Sequence, residues 1–204
     1  MKTIFVLAVL LVAAGCGSAT SEPQPLGGSG PAVTVARPPV AISARPPTPF
    51  LTSPAGRQEA VVGSYCVEGQ MESGCGDSGP IHPQQLTVVH PGDEVTFSLE
   101  NATVARAEGC HASDEQGCIG IVTVRPLGCE RKAVSTIPLE KGRETRWTAG
   151  LDAGPYQLDL FAYFKTNDGR TGDVSATFGL LVRPSGNLQI QPVDPARAAC
   201  PFSG

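Results

Sequence analysis

The sequence predicts an all-β fold: an antiparallel β-sandwich stapled by disulfides and set behind a disordered, proline-rich stalk. Apolar and polar residues alternate with a period of two between clear turn signals. Glycine and proline number 24 and 19 in 204 residues, well above ordinary usage, and no amphipathic helix of normal length interrupts them. The chain also holds 7 cysteines, a count that suits an exported domain better than a reducing compartment.

Taken in order, Lys2 supplies a positive start and Ile4 to Ala14 an apolar run of 11 residues. That length suits a signal-peptide core and is too short to span a bilayer. Ala13-Ala14-Gly15-Cys16 closes the run and resembles the lipobox of bacterial lipoproteins. The resemblance implies cleavage before Cys16 and diacylation of its thiol, palmitate being a typical chain. Two acyl chains, at about 0.8 kcal/mol per buried methylene, hold a protein at a membrane where one would not. Gly17, where an aspartate is absent, resembles outer-membrane sorting if two membranes exist. The expected location is therefore extracytoplasmic, on the cell membrane or outer membrane, with residues 1–15 as signal peptide.

Residues 16–57 read as the linker. From Gly17 to Arg57 they carry nine prolines, including Pro38-Pro39 and Pro46-Pro47, and little apolar periodicity. Such sequence favours polyproline II, which at roughly 3.1 Å per residue reaches on the order of 100 Å. Val33 to Ala36 could add a short edge strand, but the flanking prolines argue against it.

Residues 58–204 read as the sandwich domain. After the turn Pro91-Gly92-Asp93, Val95, Phe97 and Leu99 share one strand face. Ile119 to Val124 is a continuous apolar, β-branched run, as expected of a buried strand, and Thr145 to Thr148 carries the only tryptophan, Trp147. Tyr156, Leu158, Leu160, Ala162 and Phe164 alternate with Gln157, Asp159, Phe161 and Tyr163. Asn167-Asp168-Gly169 then turns the chain into a strand with Val174, Ala176, Phe178, Leu180 and Val182 on one face. On the first of these long strands, outward Asp159, Phe161 and Tyr163 form a candidate partner-binding patch, because aromatic rings supply contact area at small entropic cost. The competing expectation is that the stalk or the segment around Leu188 and Ile190 covers them.

Setting Cys16 aside leaves Cys66, Cys75, Cys110, Cys118, Cys129 and Cys200. Three disulfides among six cysteines allow 15 connectivities. Sequence-local pairing favours Cys66 with Cys75 and Cys110 with Cys118, leaving Cys129 for Cys200. Zinc at Cys110 and His111 is the alternative, but the ligand spacings of structural zinc sites are missing.

Asp152-Ala153-Gly154-Pro155-Tyr156 resembles the tyrosine corner of immunoglobulin-like domains, which implies an immunoglobulin-like Greek-key sandwich. Leu158 stands where antibody domains place a cysteine. Gly63-Ser64-Tyr65-Cys66 resembles small bacterial exported proteins of unassigned function, in which Gly-Ser-Tyr-Cys-Trp opens such a domain; here Val67 replaces the tryptophan. Gly76-Asp77-Ser78-Gly79-Pro80 resembles the nucleophile segment of chymotrypsin-type proteases, yet one glycine is missing and His82, His90 and His111 all follow Ser78. A disulfide-bordered turn accounts for it better. Val89 to Phe97 with Asn101 resembles the second strand of cupredoxins, but after Tyr156 the chain offers no His or Met for copper. Asp168-Gly169 and Asp173 could hold calcium, although a β-turn explains the pair, and Asn101-Ala102-Thr103 matches a glycosylation sequon.

A net charge of −4 without a dense basic run argues against a nucleic-acid surface. With no catalytic or metal set in view, the expected function is a non-catalytic, lipid-anchored, monomeric binding module for a protein or glycan partner, without a cofactor. The alternative is an envelope hydrolase, redox or metal-binding protein whose site assembles only in three dimensions.

Overall fold

The computed structural model describes residues 45–69, 73–110, 115–129 and 133–194. The Ala13 to Cys16 stretch, the Val33 to Ala36 stretch, His111 and Cys200 lie outside the described residues. Two sheets face each other. The smaller contains β1 (Pro49–Ser53), β2 (Gly56–Glu59), β6 (Glu94–Leu99) and β10 (Thr145–Thr148), in the order β10-β6-β1-β2. The larger is built around a long hairpin of β11 (Gly154–Thr166) and β12 (Thr171–Val182), paired from Gly154↔Val182 to Lys165↔Thr171.

Each long strand carries two shorter ones along its free side. On β11, β8 (Gly120–Pro126) pairs with the first half and β7 (Ala102–Val104) with the end, while β9 (Ser135–Pro138) extends β8. Beside β12, β3 (Val61–Glu68) pairs antiparallel with the first half, and β4 (Ser73–Gly76) extends it. Along the second half, β5 (Gln85–Val89) runs parallel to β12 and β13 (Ile190–Pro192) closes the edge. The register of β3 slips between Val174 and Ala176, and there the Ser175 hydroxyl accepts from the Ser64 amide at 2.9 Å, satisfying a donor the bulge frees.

The core lies between the sheets and follows from the period of two. From the smaller sheet come Leu51, Val95 and Phe97; from the larger, Leu158, Leu160, Phe164, Val174, Phe178 and Leu180. Phe97 and Phe178 meet across the gap with ring centroids 6.0 Å apart.

Three features depart from the expected pattern. The domain begins before residue 58: β1 and β2 lie in the stretch expected to be disordered stalk, and Leu51 is fully buried. Pro49 and Pro54 hide this hairpin from a propensity reading, but each stands at a strand edge or in the turn, where no ladder amide is needed. Second, Ile119 ends a five-residue helix, α1 (Glu115–Ile119), and β8 alternates rather than being buried throughout. Ile121 and Thr123 stay half-exposed because the outer face of the larger sheet is open there. Third, the segment around Leu188 and Ile190 does not cover Phe161 and Tyr163. It joins β5 in the plane of the sheet, with β12 between it and β11.

Candidate functional site

The outer face of the larger sheet is partly roofed. At its β5 end, Leu86, Val88 and Leu181 bury themselves under Leu127 and Val193, forming a second small apolar cluster. The stretch 77–84 crosses the middle. Its course is fixed by Ser78 Oγ donating to the Gly63 carbonyl (3.2 Å) and by an Asp77 carboxylate that accepts from the Gly79 amide (2.8 Å). Ile81 closes over Gly63, where an added Cβ would lie only 2.9 Å from its Cδ1. The Ser78 hydroxyl is thus held by a main-chain carbonyl rather than by an imidazole, and the protease-like segment serves as a turn.

Between this crossing stretch and the β8–β9 turn lies a cleft of about 660 Å³, lined in part by Ile81, His82, Arg125, Gln157 and Asp159. On its floor the Asp159 carboxylate accepts from Gln157 Nε2 (2.7 Å) and Thr177 Oγ1 (3.2 Å) and lies 3.5 Å from Arg125 Nε. Arg125 and Asp159 arrive from neighbouring strands because Gln157↔Arg125 and Asp159↔Thr123 are register partners, which sets the ion pair on the diagonal. Asp159 is thereby held in place by three side chains on the cleft floor.

Along β11 the same outward column continues through Phe161 and Tyr163. Their rings meet edge to face with centroids 5.1 Å apart, and both remain half-exposed. Opposite Tyr163 in the ladder stands Asp173, opposite Asp173 stands Cys66, and opposite Cys66 stands Cys75. These four residues therefore form one row across the outer face. Burial and the neighbouring Glu68 carboxylate push Asp173 above the usual carboxylate range.

Cys66 is bonded to Cys75 and Cys110 to Cys118, and Cys129 is also in a disulfide. The partner expected for it, Cys200, lies outside the described residues. The remaining candidates fall elsewhere. Tyr156 donates to the Asp152 carbonyl at 3.0 Å, locking the turn into β11. His90 Nε2 lies 3.1 Å from the Gly186 carbonyl at one end of the sandwich. Asp168 is held below the usual carboxylate range by hydrogen bonds from Thr166 and Arg170, so the hairpin turn itself accounts for this carboxylate. Among the described residues no group of three or more His, Cys, Asp or Glu side chains is placed to hold a metal ion.

The row from Tyr163 to Cys75 and the pairing of Arg125 with Asp159 are invisible to a linear reading, since each joins strands far apart in the chain. Compared with family models, with curated proteins and with solved structures, the chain matches none.

Proposed function

We propose that this chain is a lipid-anchored, extracytoplasmic binding module with no catalytic role, presenting the outer face of β8, β11 and β12 to a protein or glycan partner. The observation that carries the reading is the half-exposed column Asp159, Phe161 and Tyr163, backed by a rigid long hairpin and bordered by the polar cleft at Arg125. Rigid aromatic contacts beside a fixed ion pair are what a recognition surface needs. The disulfides favour an oxidising compartment, which agrees with export through the Lys2 to Cys16 signal.

An immunoglobulin-like Greek key is the finer reading of the fold. Taking β1, β6 and β10 as strands A, B and E, and β8, β11 and β12 as C, F and G, matches the partial orders A-B-E and C-F-G, with no counterpart of strand D and with β2 added beside A. The Tyr156 hydrogen bond to Asp152 supports it at the expected corner.

The test is chemical crosslinking in native envelopes, comparing the parent chain with Phe161→Ala/Tyr163→Ala. The double variant should lose the crosslinked partner while its melting temperature stays nearly unchanged. Retained crosslinking, or a large loss of stability, counts against the docking face.

A further inference from the structure

We propose that Cys66–Cys75 is a thiol-exchangeable disulfide on the outer face of the larger sheet, with Asp173 governing the ionisation of Cys66. The two cysteines are direct partners on β3 and β4, and the ladder continues on both sides through Tyr65↔Gly76 and Val67↔Gly74. The backbone hydrogen bonds of the hairpin hold the two sulfurs together whether or not they are bonded. The bridge closes a loop with a sequence separation of only 9, at the lower end of what such cross-links contribute to folding. Opening it leaves the thiols facing each other and ready to close again.

Access separates this bridge from the others. Cys75 is exposed and Cys66 half-exposed, so neither sulfur of this bridge is buried; in the bridge Cys110–Cys118, Cys110 is half-exposed but Cys118 is fully buried, and Cys129 is nearly so. Exposed bridges are the ones that exchange; buried ones resist. An external thiolate attacks Sγ of Cys75, the open sulfur, and forms a mixed disulfide. The electron pair of the broken Sγ–Sγ bond leaves on Cys66, which then takes up a proton. A second external thiolate attacks the outer sulfur of the mixed disulfide, releasing an external disulfide and Cys75 as a thiolate, which is protonated in turn. Two external thiols are oxidised by two electrons in all, and the bridge is reduced to a dithiol.

Asp173 is the register partner of Cys66, so the two side chains leave the same face of neighbouring strands. From β3 the Glu68 carboxylate acts on it, and from β11 Tyr163 lies opposite. Lys165, Arg106, Glu108 and Lys141 line the same cleft of about 520 Å³. An ionised Asp173 opposes a second negative charge on Cys66 and so raises its thiol pKa. That makes Cys66 a poorer leaving group and slows opening as Asp173 deprotonates.

The experiment uses the full chain in glutathione–glutathione disulfide buffers, followed by acid quench, alkylation and peptide mapping. Cys66 and Cys75 should become reduced at a thiol concentration about tenfold below that needed for Cys110, Cys118 and Cys129. In the reduced chain, Asp173→Asn should lower the Cys66 pKa, read from the pH dependence of alkylation, by about one unit. Asp173→Glu, which keeps the charge, should restore the parent titration. Reduction of the bridges at Cys110, Cys118 and Cys129 at the same thiol concentration overturns the proposal, and so does a Cys66 titration that Asp173→Asn leaves unmoved.

Discussion

Gln58 offers the sharpest test of where the domain begins. It sits on β2, the outer strand of the smaller sheet, yet its side chain is only 3% exposed. Its Nε2 donates to the Gln85 carbonyl at 2.9 Å, and its Oε1 accepts from Thr87 Oγ1 at 2.7 Å. One amide thus joins β2 of one sheet to β5 of the other, and the Thr87 hydroxyl it pairs has no water to fall back on, since Thr87 is fully buried. Gln58→Leu keeps the bulk and removes both bonds, leaving the buried Thr87 hydroxyl unpaired. At about 1–3 kcal/mol for a buried unsatisfied group, the cost is about 1–3 kcal/mol. For a domain of this size that corresponds to a fall in melting temperature of roughly 2–12 °C. Thr87→Val should cost about 1–2 kcal/mol alone. The double variant should cost less than the sum by about 1 kcal/mol or more, because the orphaned hydroxyl has gone. Urea unfolding monitored by tryptophan fluorescence and circular dichroism measures all three. If Gln58→Leu shifts stability by less than about 0.5 kcal/mol and the two changes add, β1 and β2 are not sealed into the sandwich.

Tyr156→Phe removes the bond to the Asp152 carbonyl and should cost about 1 kcal/mol in equilibrium unfolding, with no change in the packing of the ring. Asp173 binds its proton more tightly folded than unfolded, so its ionisation opposes folding. That penalty is absent below the ordinary carboxylate range, grows as pH rises toward the folded-state pKa and is complete above it. Asp173→Asn should therefore be more stable than the parent at neutral pH, with the difference vanishing in acid; an equal difference at all pH values would rule this out. Cys16→Ala should abolish incorporation of a fatty-acid analogue in metabolic labelling, and labelling equal to the parent would remove the lipid anchor from the proposal.

Phe97, Leu158, Leu160, Phe164, Phe178 and Leu180 could be assigned to the core from the sequence because burial alternates with the pleat, a property of each strand by itself. The turn Asn167-Asp168-Gly169 likewise announced the β11–β12 hairpin, and short spacing announced the bridges Cys66–Cys75 and Cys110–Cys118. These signals are local, and the chain carries them without needing a partner. Leu51 is different: among prolines it looks like stalk, and only pairing of β1 with β6 buries it. Ile121 and Thr123 sit in a run that reads as wholly buried, and only the open outer face of the larger sheet leaves them half-exposed. Arg125 with Asp159, Gln58 with Thr87, and Asp173 with Cys66 depend on strand order and register, which are fixed jointly by all the strands. The identity of the long core strands was therefore a property of the sequence, whereas the β1–β2 hairpin, the outer-face row and the cleft exist only because tertiary packing brings distant strands into one register.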